Sequence, residues 1–150
     1  MKKQIFLLFA ALGLLGSCSD FWRLERKEER LYGEWVIEEA WFRENGALFR
    51  QSVRREFGGD RVSFFEEYEG QYFDASTNNY YPSVWRLDLV RERDFDGSDD
   101  VEFYLLVDYY NALGELEFAW DAAVNCLTYD QLNLRVSDRR GVFTFKLRRG

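Results

Sequence analysis

The residues Glu92-Arg93-Asp94-Phe95-Asp96-Gly97-Ser98-Asp99-Asp100 place carboxylates at alternate positions ahead of a glycine. Oxygen ligands at every second position, with glycine for the sharp turn, are how a calcium loop is built, and they make Glu92, Asp94, Asp96 and Asp100 candidate ligands. The pattern is incomplete, because it opens with Glu and places Phe103 where the closing acid would stand. Asp96-Gly97 is also an ordinary hairpin turn, so a solvated acidic tip is the plainer use of the same residues.

A second pair of acids sits in apolar company. Strand parity puts Glu39 with Trp35, Ile37 and Trp41, and Glu66 with Val62, Phe64 and Tyr68. Facing a lumen, two carboxylates could share a proton, bind a cationic or hydroxylated ligand, or do acid–base work on a sugar. A bulge or a wet barrel mouth would instead return both to solvent. The chain has no histidine, and no nucleophile, base and orienter can be named together, so no enzyme and no cofactor are expected. Tyr80, Tyr81, Trp85, Tyr109, Tyr110 and Trp120 could stack on sugar faces, but core packing uses such rings equally well.

The elements that would position these groups begin after an export signal. Met1-Lys2-Lys3-Gln4 is a short basic start, and Ile5 to Leu15 is almost wholly apolar. That run is too short for a bilayer span of about 20 residues and fits a secretory signal over residues 1–17. It ends Leu15-Gly16-Ser17-Cys18, which resembles the lipobox of bacterial lipoproteins. The resemblance implies cleavage before Cys18 and acylation of its sulfur and new amino group, and several acyl chains together anchor firmly. A plain secretory signal with an incidental cysteine is the alternative. Cys126 would then be the sole free thiol, placed as a small buried hydrophobe, with no intramolecular disulfide.

The 150 residues carry 20 basic and 27 acidic side chains, for −7; loss of Lys2 and Lys3 leaves 18 against 27, or −9. Such a surface repels phosphate backbones, which argues against a nucleic-acid partner. Residues 18–30 form either a short helix, capped by Asp20 and packing Phe21, Trp22, Leu24 and Leu31 under a barrel floor, or a charged tether. Residues 31–150 form the barrel domain, and from Glu34 the period is two. Gly33 bends the chain into the first strand, and Trp35 lays a large ring across one end of the interior. Asn45-Gly46 marks a hairpin between Trp41-Phe42 and Leu48-Phe49, Gly58-Gly59-Asp60 a break, and Glu69-Gly70 a turn. Alternation is clearest at Trp85, Leu87 and Leu89; at Val101, Phe103, Leu105 and Val107; at Leu116, Phe118 and Trp120; and through the last two strands. One-sided strands joined by tight turns imply an antiparallel sheet that buries its apolar face by closing on itself. The expected fold is all-β, an up-and-down barrel of about eight strands.

Several stretches carry a family resemblance: Leu31-x-Gly33-x-Trp35, Val62-Ser63-Phe64-Phe65 before Glu69-Gly70, and Val84-Trp85-Arg86-Leu87-Asp88. Leu127-Thr128-Tyr129-Asp130-Gln131-Leu132-Asn133-Leu134 and the closing Phe143 to Arg149 continue it. In this order the chain resembles the lipocalin-like lipoproteins of Gram-negative bacteria. The resemblance implies a cup-shaped barrel that binds a small hydrophobic molecule, with Glu39, Trp41, Glu66, Tyr68, Trp85, Phe103 and Trp120 as candidate ligand contacts. It also implies that a basic residue of the last strand packs on Trp35, and parity with Phe143, Phe145 and Leu147 selects Arg149 over Arg148. The chain departs from the pattern at Glu92–Asp100 and Asp121–Cys126. The expected place is the outer membrane, on its periplasmic or cell-surface face, with the membrane met through Cys18. The rival reading is a filled barrel serving as an accessory subunit or a protein- or glycan-binding module. Cavity volume separates the two.

Overall fold

A computed structural model describes residues 19–93, 96–97 and 99–150. Helix α1 (19–31) comes first. It is followed by β1 (Gly33–Glu44), β2 (Gln51–Ser52), α2 (Arg54–Phe57), β3 (Arg61–Phe64), a 3-10 turn (Glu66–Tyr68) and β4 (Glu69–Asp74). Then come β5 (Asn79–Arg93), β6 (Asp99–Tyr110), β7 (Leu116–Leu127), β8 (Gln131–Asp138) and β9 (Gly141–Arg149). Every pairing is antiparallel between neighbours, and β9 returns to β1, so eight strands close a barrel with the two-residue β2 as an extra edge piece on β1.

The closure follows from sequence alternation. Val62, Phe64, Trp85, Leu87, Leu105, Val107, Leu132, Leu134, Phe145 and Leu147 all point inward and are buried. Closure satisfies the backbone groups that an open edge would leave unpaired. The polar stretches where the pattern lapses do not interrupt the barrel. Arg93 pairs with Asp99 and Glu92 with Asp100, so these four residues lengthen the β5–β6 hairpin. β7 runs unbroken through Asp121 to Leu127 with one irregularity between Val124 and Cys126, which restores the inward parity of Leu127.

Two local expectations change. The hairpin at Asn45-Gly46 pairs Trp41 and Phe42 with Ser52 and Gln51, leaving Leu48 and Phe49 exposed. The turn expected at Glu69-Gly70 falls earlier, at Glu66–Tyr68, where Glu67 and Tyr68 both have positive φ. Gly70 lies within β4, and a Cβ there would come within 2.6 Å of the Ser63 carbonyl oxygen. Its role is close packing rather than turning.

Residues 18–30 had two readings, and the described part is helical. Asp20 does not act as a cap: its carboxylate takes the Arg91 guanidinium through Nε, at 2.9 Å, and Nη2. Leu31 is fully buried and Leu24 partly so, whereas Phe21 and Trp22 are exposed, contrary to expectation. An amphipathic helix of three turns has one core-facing stripe, and these two rings lie off it. α1 thus covers the end of the barrel where β1 begins and β9 finishes. The opposite end, bounded by residues 45–50, 75–78, 111–115 and 139–140, is the mouth.

Candidate functional site

The half of the barrel under α1 is filled. The Trp35 indole N–H donates to the Leu31 carbonyl at 2.8 Å, which pins the end of the helix to the first strand. Gly33 has φ +118, and its bare Cα leaves room for Arg149, whose Nη1 would sit 2.7 Å from a Cβ there. The Arg149 guanidinium lies 4.3 Å from the Trp35 ring centroid. Trp85 packs edge-on against Tyr32, Phe64 and Tyr68 and donates to the Glu69 carbonyl at 2.7 Å. Phe103 is roofed by the Lys27 ammonium of α1. Trp85 and Phe103 are therefore floor residues and line no part of the open cavity.

The cavity opens at the mouth, with a volume of about 440 Å³. Tyr72, Tyr81, Phe118 and Trp120 form one wall, from β4, β5 and β7. Phe57, Phe143 and Phe145 form the other, because α2 tips Phe57 over the barrel edge until its ring stands 5.1 Å from that of Phe145. Tyr72 is the hub, with edge-on contacts to Tyr109 and Phe118, each at 5.5 Å, and to Trp120 at 5.9 Å. Trp120 stacks on Phe145 at 5.3 Å and joins the two walls.

Five acids complete the lining: Glu56, Asp60, Asp74, Glu117 and Asp138. Asp60 is buried, accepting from the Tyr72 hydroxyl and, at 2.9 Å, from the Ala75 backbone N–H. A buried carboxylate persists only with such donors. Burial, and next the bond to Asp60, push the Tyr72 phenol far above its ordinary range. Asp74 is turned to the 75–78 loop, accepting from the Ser76 backbone N–H at 2.8 Å and from its hydroxyl. Asp138 faces Arg140, 3.5 Å away.

Of the candidate ligand contacts, only Trp120 reaches this cavity. Glu39 and Trp41 are turned outward by a bulge between Ile37 and Glu39, which puts Ala40 inside in their place. On the outer face Glu39 meets the Lys146 ammonium at 3.1 Å and the Trp41 indole N–H at 3.2 Å. Glu66 and Tyr68 belong to the 3-10 turn and are exposed near the floor. Two different irregularities defeat strand parity here: one extra residue inverts the side chains of β1 beyond Ile37, and β3 ends at Phe64, so Glu66 and Tyr68 lie on no strand face. Glu92 and Asp100 face each other across the β5–β6 ladder, Asp94 lies outside the described residues, and no three metal-ligating side chains gather among the described residues. Cys18 also lies outside them. Cys126 is a half-buried free thiol.

The sequence reading missed Phe57, Asp60 and Tyr72. Asp60 follows Gly58-Gly59 and reads as a turn residue, and α2 has no repeat long enough to register as a helix. Tyr72 carried one signal, its parity with Val62 and Phe64 across β3 and β4.

Compared with protein-family models, with curated proteins and with solved structures, the chain matches none.

Proposed function

We propose that this chain is a lipid-anchored, lipocalin-like binding protein of the bacterial outer membrane, and that its barrel holds a small apolar or amphipathic molecule without chemical turnover. The observation that carries the reading is the 440 Å³ cavity at the mouth, walled by aromatic rings. Binding clefts for small molecules begin at about 300 Å³ and combine such walls with a few placed polar groups. A barrel packed solid to both ends would be an accessory or docking module. Here the α1 end is packed and the mouth is open.

The placement of α1 supports the anchoring half of the proposal. Its first turn holds Phe21 and Trp22 exposed, three and four residues after Cys18, where aromatic rings favour a membrane interface. An anchor at that end leaves the cup facing away from the bilayer. Native mass spectrometry of the protein purified from its own host should find a retained small molecule. A wholly unliganded barrel whose mouth also excludes hydrophobic probes would refute the binding role. Labelling with a palmitate analogue should mark the wild type and fail on Cys18→Ala; an unlabelled wild type would refute the anchor.

A further inference from the structure

The cavity lining has a marked charge asymmetry. It holds five carboxylates and seven aromatic rings, and neither Lys nor Arg is among its residues. Asp60 places its charge in the wall itself, beneath Tyr72. Glu56 on α2 and Glu117 on β7 stand at the rim, and neither carboxylate has a hydrogen bond or ion pair among the described residues. Of the five, Asp138 alone has an ion-pair partner among the described residues, Arg140.

We propose that the molecule held by this barrel is an organic cation, an amine or a quaternary ammonium, received in an aromatic cage with an acidic rim. The inference rests on the binding role proposed above and names its substrate class. Three physical arguments lead to it. Aromatic faces attract a cation within about 6 Å of the ring centroid, and the attraction strengthens as the site is desolvated. Tyr72, Tyr81, Phe118 and Trp120 line the space on one side while Phe57 and Phe143 close it from the other, so a compact cation has several aromatic rings within reach. The carboxylates, in a cleft with low-dielectric walls, focus a negative potential on the same space. An anionic ligand would be repelled, and a neutral apolar one would gain nothing from those charges. A sugar could donate its hydroxyls to these carboxylates, but it carries no charge for their potential to attract.

The test is equilibrium binding to the full chain in a nonionic detergent, using three ligands of one shape. These are choline, its neutral carbon isostere 3,3-dimethylbutan-1-ol, and the anionic 3,3-dimethylbutanoate. Choline should bind at least tenfold more tightly than the alcohol, and the anion should be weakest. Glu56→Gln with Glu117→Gln, both exposed and so tolerated by the fold, should weaken choline at least threefold and leave the alcohol unchanged. Trp120→Leu should weaken choline more strongly than either glutamine change. Equal affinity for choline and the alcohol would overturn the cation assignment while leaving the binding role intact, as would tighter binding of the anion. Choline binding that ignores the two glutamine changes would also overturn it. If none of the three binds, the assignment falls, and the binding role is judged separately by the molecule retained from the host.

Discussion

Arg149, the penultimate residue, sets its guanidinium 4.3 Å from the Trp35 ring centroid and donates to the carbonyls of Arg30, Tyr32 and Tyr129, each at 2.6 Å. One side chain thereby joins the last strand, the first strand, the β7–β8 turn and the end of α1. A cation at a helix C-terminus is favourably placed for the helix dipole and the carbonyls left open there. Arg149→Ala should cost about 2–4 kcal/mol, combining a cation–π contact with charge-assisted hydrogen bonds. Trp35→Ala should cost about 3–5 kcal/mol, since it also leaves a cavity. Their double-mutant cycle should show coupling of about 1 kcal/mol or more. Arg148, whose exposed side chain meets Glu38 at 3.2 Å, should not couple to Trp35. Urea titration of the four variants checks this, and additivity of Arg149 and Trp35 would refute the linkage.

Gly33→Ala tests the same corner from the opposite side. A Cβ at φ +118 is strained in itself, and it would meet Arg149 Nη1 at 2.7 Å. The strain should cost about 1–3 kcal/mol. Because Arg149 would be pushed off Trp35, the variant should also loosen α1. Faster amide exchange across residues 24–31, with β5 to β7 unchanged, is the expected signature. Uniform exchange rates would show that the helix docks without Arg149.

The barrel was legible because strands with one apolar face repeat from β1 to the end, and the register shifts do not alter that general pattern. The same reading placed Arg149 over Trp35, a position that depends on β9 being regular from Phe143 onward. The cavity was not legible. Glu39 and Trp41 had correct parity for an unbroken strand, but the bulge after Ile37 gave Ala40 their place. Trp85 has the right face and the wrong depth, and depth along a barrel is set by stagger between strands, which a single sequence does not express. Asp60 is bonded in the wall by Tyr72, twelve residues away on β4. Side-chain pattern alone does not disclose that pairing.

Acid stability should depend on Glu39, on the outer face of the barrel, and on Asp74, at the mouth. The Trp41 indole N–H, and then Lys146, hold Glu39 below its ordinary range. The Ser76 hydroxyl is the main cause of the same shift at Asp74. Both groups have a depressed folded pKa, so their stabilisation is complete above the unfolded value and is lost as pH falls through the folded one. Stability measured in urea should therefore fall from pH 6 to pH 3. Glu39→Gln and Asp74→Asn should each flatten that slope. An unchanged slope in both would place the acid lability elsewhere.

Two buried tyrosines in contact should respond in opposite ways to loss of the hydroxyl. Tyr72 donates to Asp60, and Tyr72→Phe would leave a buried carboxylate short of a donor. That change should cost about 2–3 kcal/mol. The Tyr109 hydroxyl is buried with no hydrogen-bond partner among the described residues, although its ring centroid lies only 5.5 Å from that of Tyr72. Tyr109→Phe removes an unsatisfied buried group at nearly constant shape and should stabilise by about 1 kcal/mol. Both phenols are raised above the ordinary value of 10.0, Tyr109 by burial and Tyr72 by burial and then Asp60. A raised folded pKa contributes stability that is complete below the unfolded value and is lost as pH climbs beyond it. Thermal unfolding should thus be flat in this respect up to about pH 10 and decline above it, with each Phe variant declining less steeply than the wild type. A Tyr109→Phe protein less stable than wild type at neutral pH would mean that its hydroxyl has a partner. The barrel interior would then be more polar at that depth than its ring contacts indicate.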